Sequence, residues 1–285
     1  MDDFEIIILL FSGYYSIKGI YNWYRRITAI WPSGRSNTIK YTLGLLPIIA
    51  FAIILYTLRV LASFDVVGDF IYIVFYTSLG FAWVFMGIKL IFPFFDLSWI
   101  DDVIENKNKA ALFSITGAFL GLVIIYSGAN IGDGPGWWCV IFAGGLGLIS
   151  WMLLSSLMNK FTQVFQRVTV DRDIYCGIRF GSYLVASGLI LGRASAGDWT
   201  SFSMTIIEFM VGWPVLPLTL LAVLVERFYI NKAKMRERAH NNYLQSSIYW
   251  GIIYLLIAVF SIVLYPLIEN PAYGSMLGRL LGVNL

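Results

Sequence analysis

Histidine occurs once, at position 240, and cysteine twice, at 139 and 176, so the chain carries little with which to ligate a metal or attack a substrate. His240 sits in a basic stretch and reads as a solvated side chain. Cys139 and Cys176 fall near opposite ends of two different apolar segments, too far apart to bridge. No cluster has metal-ligand spacing, no serine or cysteine nucleophile has a base beside it, and no phosphate-binding glycine loop is present. Neither cofactor, metal nor catalytic residue is expected. Charge is also scarce: Asp, Glu, Lys and Arg make up 13% of the chain, and hydrophobic residues 59%. That balance excludes an ordinary soluble domain.

What is present instead is a series of long apolar runs. Seven are long enough to cross a hydrocarbon layer, at Tyr41–Leu61, Phe70–Phe95, Ala110–Ala129, Trp137–Met158, Ile174–Ala196, Ser203–Val225 and Ser246–Ile268. Lipid cannot satisfy an open backbone, so the fold class is all-α, a polytopic membrane helix bundle of seven spans, or eight if residues 4–24 also cross. With a cytoplasmic N-terminus, 17 of the 20 Lys and Arg residues fall on one side, leaving Arg59, Arg193 and Arg279 on the other. The net charge of +3 is then a signature of insertion topology, and no nucleic-acid partner is implied. The C-terminus falls outside the cytoplasm. Membrane lipids are the default partners.

Four regions follow. Residues 1–40 hold an N-terminal interfacial helix and a basic loop; 41–69 the first span and an outer loop; 70–225 a four-to-five-helix core; and 226–285 a basic cytoplasmic loop, the last span and an outer tail. The stretch 2–24 is acidic at its start, unlike a signal peptide, and interleaves Tyr14, Tyr15, Tyr21, Trp23 and Tyr24 with polar residues. This suits a helix in the cytoplasmic headgroup zone, with an eighth span and an external N-terminus as the competing reading. Trp31–Asn37 reads as a loop. Arg227–Asn242 reads as a basic helix that continues the sixth span or docks a soluble partner, and Met276–Leu281 as a short amphipathic run on the outer leaflet.

The chain is organised around Trp99–Asp133. Asp101, Asp102, Glu105 and Asn108 lead directly into an apolar helix, and either cap its start or bind a cation; capping is the stronger reading. Gly117, Gly121 and Gly128 lie on one face of that helix, and Gly181, Gly188 and Gly192 on one face of a later one. Such faces allow close helix packing, within one chain or between copies, so a homo-oligomer or a membrane-complex subunit is expected. A shift of 64 superposes Gly80 on Gly144, Gly117 on Gly181 and Gly128 on Gly192; one residue more superposes Gly132–Asp133 on Gly197–Asp198. A parallel two-helix repeat follows.

Residues Asp102, Glu105, Asn108, Ala110, Ala111, Gly117, Ser127, Gly128 and Ala129 form an acidic hinge, an Asn-x-Ala-Ala helix start, a glycine-bearing span and a Ser-Gly-Ala exit. This unit resembles the duplicated domain of the YjfL-like bacterial inner-membrane proteins, a family of unknown function. Asp173, Gly177, Gly188 and Gly192 match in a second copy, which lacks the Asn and carries Tyr175 and Cys176 in place of small residues. The resemblance covers about residues 70–225 and implies a bacterial inner-membrane location but no reaction.

Charges inside the spans are the remaining signal. Arg179 and Arg193 enclose only 13 uncharged residues, about 21 Å of helix, so one of them must lie below the interface. Glu208 lies in the next span, about as far from the intervening turn as Arg193. An Arg193–Glu208 pair is therefore expected. Pro214 and Pro217 break the backbone beside Trp213, placing a polar cavity near Glu208, Trp213 and Arg193. Three functions remain, in decreasing order of support: a channel- or transporter-like protein with a polar path at Glu208 and Arg193, a non-catalytic scaffold or assembly subunit, and an intramembrane enzyme acting on lipid.

Overall fold

The computed structural model describes residues 1–29, 37–235 and 240–266. The fold is all-α, with no strand among the described residues. The helices are α1 (Asp3–Thr28), α2 (Asn37–Val60), α3 (Phe64–Gly68), α4 (Phe70–Phe94), α5 (Lys109–Ala129), α6 (Trp137–Thr162), α7 (Val164–Thr169), α8 (Ile174–Ala194), α9 (Phe202–Phe209), α10 (Val215–Met235) and α11 (His240–Leu264). A π-helical turn, Trp99–Glu105, joins α4 to α5. Helices α1, α2, α4, α5, α6, α8 and α11 are each long and apolar enough to cross a membrane, and α9 with α10 forms an eighth path, bent by 41°. The bend falls at Pro214, whose missing N–H interrupts the ladder where the sequence places the break. The expected loop at Trp31–Asn37 and the amphipathic run at Met276–Leu281 lie outside the described residues, apart from Asn37, which opens α2.

The centre is the parallel pair α5 and α8. Their glycine faces meet each other: a Cβ on Gly117 would overlap the backbone of Gly181, and one on Gly128 the backbone of Gly192. Gly177 lies against Ala110, and Gly188 against Gly121, in the same seam. The glycines are thus consumed within one chain. Helices α2, α4 and α6 surround α5, helices α11, α6 and α10 surround α8, and α1 lies outermost on α4.

The loops sort into two ends. At one end the Asn108 side-chain amide donates to the Val168 carbonyl (2.8 Å), so the α4–α5 and α6–α8 connections touch. At the other, Gly132 N–H donates to Leu61 O (3.3 Å), Gly197 N–H to Ile131 O (2.9 Å) and Asp133 N–H to Asp198 Oδ1 (2.7 Å). The first of these ends carries the basic connections.

Helix α1 does not lie across an end of the bundle. Its Phe4 ring meets Trp137 and its Glu5 accepts from Tyr72, both at the start of a span, whereas its Trp23 stacks on Trp99 at the basic end, 4.2 Å between centroids. Twenty-six residues give about 39 Å of helix, enough to run the whole bundle. The interfacial reading of residues 2–24 is therefore replaced by the competing one, a helix of span length. Proline explains the docking: Pro47 has no N–H for the Leu43 carbonyl one turn back, and Trp23 Nε1 donates to that carbonyl (2.9 Å) while Tyr24 Oη donates to Gly44 O (2.8 Å). The alternation of polar and aromatic residues that suggests a headgroup zone is the pattern of a helix reaching into a kinked neighbour.

Candidate functional site

The segments before α5 and α8, a π-helical turn and an α-helix, close with the same backbone bonds at a spacing of 65. Asn106 N–H donates to Asp101 O and Asp171 N–H to Gln166 O; Asn108 N–H donates to Asp102 O and Asp173 N–H to Arg167 O. Lys107 and Arg172 both take positive φ, 53° each. Asn108 Oδ1 caps Ala110 and Ala111, and Asp173 Oδ1 caps Tyr175 and Cys176. Capping is therefore what Asn108 does. Asp101 and Asp102 accept from Ser98, and Glu105 is exposed. Burial, helped by Asp101 and Asp96, pushes the Asp102 carboxyl above its ordinary range.

These shared backbone bonds make the differences informative. At the 65-residue spacing Asp102 becomes Arg167, Asn108 becomes Asp173 and Ser114 becomes Arg179. At these three positions the second segment carries two cations and one carboxylate where the first carries one acid, Asp102. The missing negative charge comes from α10. Arg179, 1% exposed, donates through Nε and Nη2 to the two oxygens of Glu226, the latter at 2.8 Å, and Glu226 is itself fully buried. Arg167 donates to Glu226 Oε2 (2.6 Å) and to Asp173 Oδ2 (2.7 Å). Ser247 of α11 accepts from Arg179 Nη1 (2.6 Å), and the guanidinium rests on the Tyr229 ring, 4.2 Å from its centroid. Burial opposes the charge on Arg167, but Cys176, Glu226 and Asp173 outweigh it and raise its pKa. Arg167 of α7, Asp173 at the N-cap of α8, Arg179 of α8 and Glu226 of α10 thus form a neutral network, buried at Arg179 and Glu226 and partly exposed at the other two, every carboxylate oxygen of which accepts at least one bond.

The network floors a cavity of about 480 Å³ lined by Arg167, Arg179, Asp173, Tyr175, Tyr229 and Tyr243, among others, with exposed Asp171 at its mouth. It opens at the basic end. None of its lining residues belongs to the opposite end, where a recess of about 50 Å³ is lined by Asp133, Asp198 and Glu208.

The expected Arg193–Glu208 pair does not form. Half-buried Arg193 donates to Tyr265 O (2.7 Å) and Pro266 O (2.8 Å), the carbonyls just past the end of α11, where a cation is favourable. Glu208 is exposed and has no salt bridge among the described residues, and Trp213 is 52% exposed with its indole N–H on Tyr265 Oη. Arg193 is taken up by the end of α11 while Glu208 is left exposed, so equal distance from the turn does not bring the two side chains together. Of the two arginines, Arg179 is the fully buried one, and its partner is the residue that a span ending at Val225 leaves in a loop. Charge balance is the signal that finds Glu226: Arg167 and Arg179 exceed Asp173 by one, and Glu226 is the acid at the same end that directly follows the apolar run ending at Val225.

The span-length apolar helices and their paired loop ends define a multi-pass helical membrane protein. No family model matches the chain, and no match was found among curated proteins or solved structures.

Proposed function

We propose that this protein is a transporter-like membrane protein that handles a small polar solute, with its binding site in the basic-end cavity over Arg167, Arg179 and Glu226. One observation carries the reading: a solute-sized cavity rests on a multi-helix charge network whose Arg179–Glu226 pair is fully buried. Buried charges cost several kcal/mol each to desolvate, about 3–5 kcal/mol when left unpaired, and in membrane bundles they mark solute and ion paths. Alternating access then requires α10 and α11 to move relative to α8, with the Arg179–Glu226 bridge as the contact that remakes.

The basic end is the cytoplasmic one on the distribution of Lys and Arg, which puts the described start of α1 and the end of α11 on the outer side. The recurrence of caps, positive φ and backbone bonds at 65 residues supports a duplication of α4–α5 as α6–α8, as the YjfL-like resemblance implies for an inner-membrane protein.

The test is uptake by liposomes containing the purified protein, supplied with a cell metabolite extract and read by mass spectrometry. At least one solute should accumulate over empty liposomes and fall by about tenfold with Glu226→Gln. No difference from empty liposomes for any solute would overturn the reading. A second reading, a one-sided binding or scaffold subunit, is favoured by the absence of shared lining between the two end cavities. It predicts binding without accumulation.

A further inference from the structure

The cavity's hydrogen-bonding capacity identifies the class of solute, on the premise that this cavity is the binding site. An arginine has five N–H donors. Arg179 spends three, two on Glu226 and one on Ser247; Arg167 spends two, one each on Glu226 and Asp173. Arg167 therefore keeps three N–H groups with no partner among the described residues, and its side chain, 13% exposed, lines the cavity; Arg179, 1% exposed, backs it.

The acceptors are in the opposite condition. Asp173 Oδ1 accepts from two backbone N–H groups and Oδ2 from Arg167; Glu226 Oε1 accepts from Arg179 and Oε2 from both arginines. Glu226 does not line the cavity at all. The floor thus offers surplus donors on Arg167, and the one lining carboxylate outside the network is Asp171 at the mouth. Beyond it, Lys109, Lys160 and Arg172 place further positive charge at the same end, a field that concentrates anions.

We infer that the cavity receives an oxyanion, the carboxylate or phosphate of its solute, on the unspent N–H groups of Arg167, with buried Arg179 behind it. Planar guanidinium donors match both groups in a bidentate geometry that a lysine cannot reproduce. Asp171 is the opposing element. It is exposed at the mouth, so it repels an incoming anion without taking part in the network.

Binding is measured on the full-length protein in neutral detergent by calorimetry with three probes: inorganic phosphate, succinate and phosphatidylglycerol in mixed micelles. Saturable heat with phosphate or succinate identifies a soluble oxyanion; heat with phosphatidylglycerol alone identifies a lipid headgroup. Arg167→Lys, which keeps the charge, should weaken the binding about tenfold, and Asp171→Asn should strengthen it about threefold. Absence of binding by all three probes, or unchanged affinity in a normally eluting Arg167→Lys together with no gain in Asp171→Asn, overturns the inference. Uptake of a solute without an acidic group leaves the transport reading standing and removes this one; oxyanion binding without uptake does the reverse.

Discussion

Arg179 and Glu226, 47 residues apart in the chain, meet as a two-pronged bridge with no access to solvent, and Arg167 closes on the same carboxylate from a third helix. Removing one member unbalances the rest. Glu226→Gln leaves Arg167 and buried Arg179 against Asp173 alone and should cost about 3–5 kcal/mol. Removing Glu226 and Arg179 together, as Leu and Met, leaves the Arg167–Asp173 pair neutral, so the double variant should unfold at a higher temperature than Glu226→Gln alone. Thermal melting of the three proteins in detergent measures both differences.

The α5–α8 seam depends on a missing side chain. A Cβ on Gly117 would sit 2.6 Å from the Gly181 Cα, and no flexible atom can yield there. Gly117→Ala should destabilise by about 1–3 kcal/mol. Gly145→Ala is the control: nothing lies within 4 Å of its Cβ, and the change should stay within about 0.5 kcal/mol. Equal melting temperatures for the two variants would show that the seam is not close-packed.

Trp23 serves a carbonyl that Pro47 leaves without its helical donor. Trp23→Phe keeps an aromatic ring but removes the donor, at about 1–3 kcal/mol. In a Pro47→Ala background the helix supplies its own N–H, so the same substitution should cost less. A denaturation cycle over the four proteins reads the coupling.

The course of α1 is open to labelling. With buried Cys139 and Cys176 replaced by Ala, Asp3→Cys and Gly68→Cys should react with an impermeant maleimide from one side of the membrane, and Arg25→Cys and Lys109→Cys from the other. Asp3→Cys reacting from the side of Lys109→Cys would remove α1 from the set of spans.

Asp102 gives a pH dependence of known sign. Its carboxyl is pushed up by burial in the folded protein, so its favourable contribution is complete below the ordinary aspartate pKa and is lost as pH rises through the folded value. Asp102→Asn should therefore match the wild type in acid and be the more stable protein near neutrality, as unfolding at a series of pH values will record.

Much of this was readable from residues alone because it depends on period and spacing. Apolar run length marks α2, α4, α5, α6, α8 and α11; the Asn108 cap and the glycine seam follow from residue type at helical intervals; and the sorting of loops into two ends follows from Lys and Arg. Depth along a span is readable as well, which is how Arg179 or Arg193 is recognised as buried. Partnership is not. Arg193 and Glu208 lie about equally far from their turn, yet Arg193 binds the carbonyls past α11 and Glu208 is left exposed, whereas Arg179 finds Glu226 across a helix pair that no local pattern announces.

Sequence alone determined an all-helical membrane bundle, because chain length, hydropathy and backbone hydrogen bonding in lipid allow no other class. Tertiary structure decided that α1 runs the length of the bundle and that the charge network lies at α7, α8 and α10. An ion pair is selected by the azimuth of each helix about its axis, and that angle is set by packing against neighbours distant in the chain.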